Sequence, residues 1–275
     1  MRRRLKAAEV PRELLPDQSS GLLRELHLLT RDGDLNADAL RKLKQVNHLV
    51  GLLRPALEDV LGRFGRPLVV DAASGNAYLG FVLYELFLGP AEKGELLCIE
   101  ARPELSTRSE ARARRLGFER MRFATASLAS APWPDRFHLL TALHACDTAT
   151  DDALAAAIRR GVDHVAVVPC CQAEVARQLR ERPPALQSVA ALAGHAWHRR
   201  EFGSHLTNVI RALVLEAHGY SVTVTELTGW EHSLKNELIL GRKVRAEWRE
   251  AKQRLEALLA DTGVRPALVR ALESH

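Results

Sequence analysis

Two short apolar segments that each end in an acidic residue constrain the fold of this chain most strongly. The first, 67–71, ends in Asp71 and leads into a turn of small residues, and the second, 95–100, ends in Glu100. Such runs are typical of strands buried on both faces of a parallel sheet. A carboxylate at the tip of the second strand accepts hydrogen bonds from both hydroxyls of a ribose, and small residues let a ligand approach the backbone. The pattern therefore predicts a nucleoside-containing cofactor, and hence an enzyme.

The turn after the first strand narrows the choice of cofactor. Its glycines are Gly75 and Gly80, so it lacks the G-x-G-x-x-G spacing and the wide helix start that a pyrophosphate needs. The turn resembles instead the first motif of class I S-adenosylmethionine-dependent methyltransferases. Asp71 matches the acid of that motif and Gly75 its central glycine. Ala73 and Ala77 replace the flanking glycines.

Two later motifs resemble a subgroup of this family that includes the tRNA ribose methyltransferases of the acceptor stem. The first, 143–151, has the pattern Leu-His-x-Cys-Asp-x-x-Thr-Asp, and the second, 169–171, is Pro-Cys-Cys. The segment 231–236 is similar to that subgroup's turn before the last strand. The resemblance covers roughly residues 66–242 and implies S-adenosyl-L-methionine as cofactor and methyl transfer as reaction.

Strand and helix patterns alternate from residue 66 onward, which predicts an α/β fold with a parallel sheet and crossover helices. The family resemblance implies a seven-stranded Rossmann-like methyltransferase sheet with an antiparallel last strand and an N-terminal helical extension. We expect a helical extension at 1–65, a class I methyltransferase domain at 66–245 and a C-terminal helical segment at 246–275. The predicted strands lie near 67–71, 95–100, 120–125, 137–143, 164–169, 220–227 and 236–241.

Ligands of parallel sheets bind at the carboxyl ends of the strands, where all of these motifs fall. The resemblance implies that the first turn and the second acid hold the methionine and ribose parts of the cofactor, and that residues after the third strand flank the adenine. The cofactor-binding residues expected on this basis are Asp71, Ala73, Gly75, Asn76, Glu100, Ala101, Thr125, Ser127 and His144.

His144 and Asp147 follow the fourth strand and are the expected catalytic residues. A histidine base oriented by an acid suits removal of a proton from the acceptor. A helix cap by Asp147 or Thr148, with His144 packed at the strand tip, explains the same positions equally well. Asp151 is expected at a helix N-terminus, where the helix dipole favours an acid.

Cys170 and Cys171 allow two interpretations. Cytosine-carbon methylases place a nucleophilic thiol at this position. Two small side chains packed at the end of a buried strand are the alternative, and we favour it. Adjacent cysteines chelate one ion poorly and the chain has no C-x-x-C spacing, so we expect no metal.

Basic residues point to RNA as the acceptor. The net charge is +5 and the isoelectric point is near 9.2, which permits nucleic-acid contact. Lys44 lies on a basic face of a predicted helix, and a second basic cluster surrounds Trp197 in an expected irregular stretch after Pro184. An unpaired base would stack on that tryptophan. The expected substrate-binding residues are Lys44, Cys170, Arg199 and Asn236.

Other functions explain the same charges. A solvated helix face and a surface loop need no RNA. The second hypothesis is therefore a methyltransferase acting on a protein or small molecule, with the N-terminal helices as a lid. The third is a non-catalytic cofactor-binding module.

Composition sets the remaining expectations. No apolar run is long enough to cross a membrane, so we expect no membrane contact. The four cysteines show no paired spacing, which favours a reducing compartment and a cytoplasmic location. We expect a monomer.

Overall fold

The computed structural model of the chain contains a seven-stranded sheet in the order β3-β2-β1-β4-β5-β7-β6. It describes residues 14, 19–29, 37–143, 145, 147–169, 172–182, 184, 186–227 and 237–273, without the side chains of 37–41. The strands are β1 (Leu68–Ala72), β2 (Glu95–Glu100), β3 (Met121–Thr125), β4 (Leu139–Leu143), β5 (His164–Val168), β6 (Tyr220–Glu226) and β7 (Glu237–Lys243).

The first five strands run parallel, and β7 runs antiparallel to both β5 and β6. This confirms the predicted sheet and its reversed last strand. Because β7 is reversed, its first residue lies at the same edge as the carboxyl ends of β1 to β5. Every strand of the sheet therefore contributes a residue to that edge.

Helices cover both faces of the sheet. Val69 and Leu139 face one apolar cluster, whereas their neighbours Val70 and Leu140 face the other, as the two-residue period of a strand requires. The helices are α1 (Ser20–Glu25), α2 (Ala37–Arg63), α3 (Tyr78–Leu83, extended by a π-helical turn Tyr84–Leu88), α4 (Pro103–Leu116), α5 (Ala149–Arg159), α6 (Glu174–Glu181), α7 (Gln187–Leu192), α8 (Ala196–Ala217), α9 (Arg249–Thr262) and α10 (Ala267–Glu273).

Helix α2 packs directly on the sheet. Its buried Leu53 and Leu57 belong to the same apolar cluster as Val69 of β1. At its C-terminal end Asp59 lies 2.7 Å from Nε2 of His164 on β5. The helix continues through Pro55 without interruption. Helix α2 thus crosses the sheet from the carboxyl edge, where its first turns reach the candidate site, to the amino edge, where Asp59 meets the first residue of β5.

One expectation for the second half of the chain is wrong. The basic cluster around Trp197 lies in the first turns of α8 and not in an irregular stretch. Those turns are exposed, so they carry no apolar stripe from which a helix is recognised. Asp151 stands in the first turn of α5, as expected, and it is also buried and paired with Arg211.

None of the helices in the described ranges is both long enough and apolar enough to span a membrane.

Candidate functional site

A cavity of about 470 Å³ opens at the carboxyl ends of β1 and β4, between the sheet and α2. This volume lies within the range of roughly 300–1,000 Å³ that small-molecule sites occupy. We call it the cofactor cavity. Its lining residues are Lys42, Gln45, Val46 and Leu49 of α2 together with Asp71, Ala73, Ser74, Gly75, Tyr78, Leu79, Arg102 and Leu143.

The turn between β1 and α3 brings three consecutive odd-numbered residues into the left-handed region. Ala73, Gly75 and Ala77 have φ angles of 52°, 58° and 54°. The left-handed conformation costs a residue with a Cβ about 1–2 kcal/mol. Alanine therefore stands at two positions that favour glycine, and the turn keeps its shape at a cost in stability.

Glu100 ends β2 beside the cofactor cavity with 6% of its surface exposed. Its Oε2 accepts a hydrogen bond from the backbone N–H of Gly75 at 2.7 Å. Its Oε1 accepts from the backbone N–H of Arg102 at 3.1 Å and from Nε of the same residue at 2.7 Å. Burial alone would raise the pKa of Glu100, but these hydrogen bonds outweigh it and hold the pKa below its usual value. Glu100 is thus an ionised acceptor.

Asp71 is buried at the end of β1 and anchors the following turn through hydrogen bonds to β4 and α3. Its Oδ1 accepts a hydrogen bond from the Thr141 hydroxyl of β4 at 2.9 Å, and the backbone N–H of Gly80 also donates to the carboxylate. Burial, opposed by these two hydrogen bonds, raises the pKa of Asp71 to about 7. The carboxyl group therefore links β1, β4 and α3 and changes charge near neutral pH.

Tyr78 lines the cavity and carries an unsatisfied polar atom. Its hydroxyl is buried and has no hydrogen-bond partner among the described residues, and burial raises the pKa of Tyr78 to about 12. An unpaired buried hydroxyl costs about 1–3 kcal/mol. A polar group of a bound molecule would satisfy it. The apolar wall, this hydroxyl and the carboxylate of Glu100 together fit a nucleoside attached to an amino acid.

Of the described residues expected to bind the cofactor, Glu100, Asn76, Ala101, Thr125 and Ser127 are not part of the cavity lining. Asn76 accepts a hydrogen bond from Arg108 of α4. Ala101 follows β2, Thr125 ends β3, and the hydroxyl of Ser127 lies 2.8 Å from that of Ser130. His144 lies outside the described residues.

Asp147 joins the turns that follow β4 and β5. Its Oδ1 accepts a hydrogen bond from the backbone N–H of Ala173 at 3.2 Å, so it binds the start of α6 rather than capping α5. Its own φ is 49°. Its backbone oxygen accepts from Nη2 of Arg211 at 3.0 Å, and Nε of that arginine donates to Asp151 at 2.7 Å. Arg211 of α8 thus links the backbone of Asp147 to the first turn of α5.

Two further cavities flank Gln172, which follows β5. On one side lies a cleft of about 440 Å³ between α6 and α8, which we call the arginine cleft. On the other lies a cavity of about 500 Å³ between α8 and the ends of β6 and β7, which we call the edge cavity. The arginine cleft is lined by Arg177, Arg180, Arg199 and Arg200 with Gln172, Ala173, Ala176 and Ala196.

The residues expected to bind the acceptor do not line one common cavity. Arg199 lines the arginine cleft, and its Nη1 donates to the backbone oxygen of Ala193 at 3.0 Å. Lys44 is exposed on α2 and does not line the cofactor cavity, because residues two apart face opposite sides of a helix and Lys42 takes that place. Cys170, Cys171 and Asn236 lie outside the described residues.

The sequence did not predict four residues that shape these sites. Tyr78 and Arg102 each carried a weak signal, since each follows a motif acid or glycine by a few positions. Arg211 and Asn208 carried none, because nothing in the spacing along the chain ties them to the turns. Within the part of the chain that the structure describes, no group of three histidine, cysteine, aspartate or glutamate residues could hold a metal ion.

Comparison with known proteins gives one family and several relatives. The model of a family described as "Methyltransferase domain" matches residues 41–178. The glutathione S-transferase C-terminal domain-containing protein of Bos taurus is 25% identical over 232 residues, which is 77% of this chain and 35% of that protein. The Homo sapiens protein of the same name is 26% identical over 234 residues, with the same two shares. The chain thus spans about a third of the length of these curated relatives.

Solved structures with a similar arrangement have low sequence identity. An rRNA methylase from Streptococcus thermophilus is 13% identical, with a TM-score of 0.47 over 71% of this chain and 96% of that one. An S-adenosylhomocysteine-bound methyltransferase from Podospora anserina is 11% identical, with a TM-score of 0.45 over 84% of this chain and 89% of that one. The family match rests on the segment that carries the cofactor cavity. The chain belongs to the methyltransferase domain family.

Proposed function

We propose that this protein transfers the methyl group of S-adenosylmethionine to RNA. The observation that carries the choice of acceptor is the arginine cleft, which lies beside the end of β5, one strand away from the cofactor cavity at β4. Guanidinium groups bind phosphate bidentately, and phosphate contacts dominate affinity for nucleic acids. Trp197, 62% exposed, adds a ring on which an unpaired base can stack.

Two of the four arginines have acidic neighbours at the surface. Arg180 lies 3.8 Å from Glu181, and Arg200 lies 3.1 Å from Glu201. Such exposed pairs contribute about 0–1 kcal/mol, so they compete weakly with a phosphate. The neighbouring acids therefore leave the cleft able to bind an anion.

The cofactor, when bound, supplies an electrophilic methyl group on a sulfonium. Glu100 accepts hydrogen bonds from the ribose hydroxyls, and the Tyr78 hydroxyl donates to a polar group of the cofactor. Asp71 holds the turn at Ala73 and Gly75, along which the methionine part lies. The further cofactor contacts that we propose come from Asn76, Ala101, Thr125, Ser127 and His144.

Methyl transfer requires above all that the acceptor be held in line with the methyl group. His144 and Asp147 position or deprotonate the acceptor atom. The N–H of Ala173 fixes Asp147, which supports a defined orientation for its carboxylate. Arg199 binds phosphate, and Lys44, Cys170 and Asn236 contribute to the acceptor side.

Salt-dependent binding tests this proposal. We expect the full chain, saturated with S-adenosylhomocysteine, to bind total tRNA with an affinity that falls at least about 10-fold between roughly 50 and 200 mM salt, because bound phosphates release counterions. The double variant Arg199→Glu/Arg200→Glu should lose most of this binding and most of its salt dependence. Affinity that is the same at both salt concentrations, or absence of binding, would contradict an RNA acceptor.

A control variant carries the same change in charge elsewhere. Arg66 precedes β1 at the opposite edge of the sheet, and Arg249 begins α9. Arg66→Glu/Arg249→Glu should bind tRNA nearly as the unmodified protein does. If both double variants lose affinity equally, net charge rather than the arginine cleft determines binding.

A further inference from the structure

We infer that the edge cavity binds the base of the acceptor nucleotide and prefers a base with an exocyclic amino group. The inference rests on the RNA acceptor proposed above. The cavity lies at the same sheet edge as the cofactor cavity, since Leu143 of the latter pairs with Val168, and Pro169 of the former follows directly. Neighbouring strands are about 4.8 Å apart, so the linings of the two cavities meet at adjacent strand ends.

A buried asparagine presents a fixed hydrogen-bond donor to this cavity. Asn208 is 4% exposed and lines the cavity. Its Oδ1 accepts from Nη1 of Arg211 at 3.2 Å and from Nε2 of Gln172 at 3.0 Å. Because a guanidinium can only donate, Arg211 determines which side-chain atom of Asn208 is the oxygen. The Nδ2 group then has no acceptor among the described residues.

The orientation of Gln172 follows from the same arginine. With its Nε2 directed at Asn208, its Oε1 accepts a hydrogen bond from the Ser204 hydroxyl at 2.6 Å. Asp151 holds Arg211 itself in place at 2.7 Å. The polar atoms on this wall are therefore set by buried contacts, and a ligand meets them already oriented.

The opposite wall carries unneutralised acceptors. Glu226 and Glu237 stand directly opposite each other on β6 and β7, and both line the cavity. Like charges in directly opposed positions destabilise a strand pair. Neither carboxylate forms an ion pair with another residue in the described ranges. A group with several N–H donors would relieve this repulsion.

A nucleobase with an amino group complements both walls. Its amino hydrogens donate to a carboxylate, as cytosine donates to glutamate in nucleic-acid complexes, and its ring nitrogen or carbonyl oxygen accepts from Asn208. Uracil has one ring N–H and no amino group, so it can donate to one of the two carboxylates but not to both. The arginine cleft, on the other side of Gln172, lies where the phosphate of the same nucleotide can bind.

Titration calorimetry with the four 5′-ribonucleoside monophosphates tests this inference on the full chain with S-adenosylhomocysteine present. We expect at least one of GMP, AMP and CMP to bind about 10-fold more tightly than UMP. Asn208→Asp keeps an oxygen toward Arg211 and Gln172 and replaces only the donor that faces the cavity. It should weaken the preferred nucleotide about 10-fold while leaving tRNA binding through the arginine cleft largely intact.

A second variant tests the same inference without changing the buried Asn208. Glu226→Gln/Glu237→Gln changes two strand ends and should abolish the preference over UMP, whereas Glu110→Gln on α4 should not. The inference is overturned if UMP binds as tightly as the other three nucleotides, or if Asn208→Asp binds the preferred nucleotide as tightly as the unmodified protein does. It is also overturned if the protein binds spermidine but no nucleotide. If nucleotide binding contradicts the inference but tRNA still binds in a salt-dependent way, only the inference about the edge cavity is rejected. If tRNA binding fails as well, the proposal of an RNA acceptor is also rejected.

Discussion

Arg102 donates two hydrogen bonds to the same carboxylate oxygen of Glu100, from its backbone nitrogen at 3.1 Å and from Nε at 2.7 Å. A ribose diol that binds Glu100 through both oxygens would compete with the Nε hydrogen bond. The Arg102 side chain is 61% exposed. We expect cofactor binding to replace the hydrogen bond from its Nε to Glu100 with hydrogen bonds from the ribose.

Removing the charge of Glu100 should weaken the cofactor. We expect Glu100→Gln to lower the affinity for S-adenosylhomocysteine about 10- to 100-fold, or about 1.4–2.8 kcal/mol, because charge-assisted hydrogen bonds are lost. Titration calorimetry measures this change. Glu104→Gln, in the first turn of α4, is the control and should bind normally. Equal affinities for the two variants would exclude Glu100 from the ribose contact.

The hydroxyl of Tyr78 should affect stability and binding in opposite directions. Tyr78→Phe removes a buried hydroxyl that has no partner in the part of the chain that the structure describes, so the unliganded protein should gain up to about 1 kcal/mol in the free energy of unfolding. The affinity for S-adenosylhomocysteine should fall about 3- to 10-fold. Chemical denaturation and calorimetry give the two values. In Tyr84→Phe, whose hydroxyl accepts from Arg120, cofactor affinity should not change.

The left-handed alanine in the first turn is a site for stabilisation. Ala73→Gly should raise the free energy of unfolding by about 0.5–1 kcal/mol, because glycine adopts a φ of 52° without strain. Ala72→Gly, one residue earlier in a strand, should lower it by about 1 kcal/mol or more. A loss of stability in both variants would mean that the turn is not strained.

Asp71 should make stability depend on pH. The pKa of its carboxyl is raised to about 7 from 3.8 in the unfolded chain, so the folded state holds a proton that the unfolded state releases. The stabilisation of the folded state by this proton is fully present below pH 3.8 and is lost as the pH rises to about 7. The free energy of unfolding falls over this range by about 1.4 kcal/mol per pH unit. In Asp71→Asn this part of the slope should disappear. Unfolding curves measured at several pH values check this difference, and an unchanged slope would contradict it.

Two substitutions of Asp147 should show whether turnover depends on its charge or on its hydrogen bond to Ala173. Asp147→Ala should reduce turnover about 10²-fold with little change in cofactor affinity, because both the acceptor contact and the Ala173 hydrogen bond are lost. Asp147→Asn keeps an oxygen for Ala173, so an equal loss of turnover identifies the charge as the essential property. Cys170→Ser and Cys171→Ser should cost little. A covalent adduct with a fluorinated pyrimidine that either substitution abolishes would instead establish a cysteine nucleophile.

The sheet was predictable from the sequence because each strand is a short apolar run with a clear end. Asp71 and Glu100 were predictable as neighbours at one edge for the same reason. The pairing of Arg211 with Asp151 was not, because the two residues are 60 positions apart and no local period connects them. The start of α8 was also missed, since its exposed first turns follow no apolar pattern.

The destination of a labelled methyl group tests the account most directly. The full chain, incubated with S-adenosylmethionine carrying a tritiated methyl group and with total RNA, should transfer tritium into material that ribonuclease releases. Arg199→Glu/Arg200→Glu should reduce that transfer about 10-fold or more, and Arg66→Glu/Arg249→Glu should not. Label recovered in protein or in a small molecule, or no label transferred to RNA, would contradict methyl transfer to RNA.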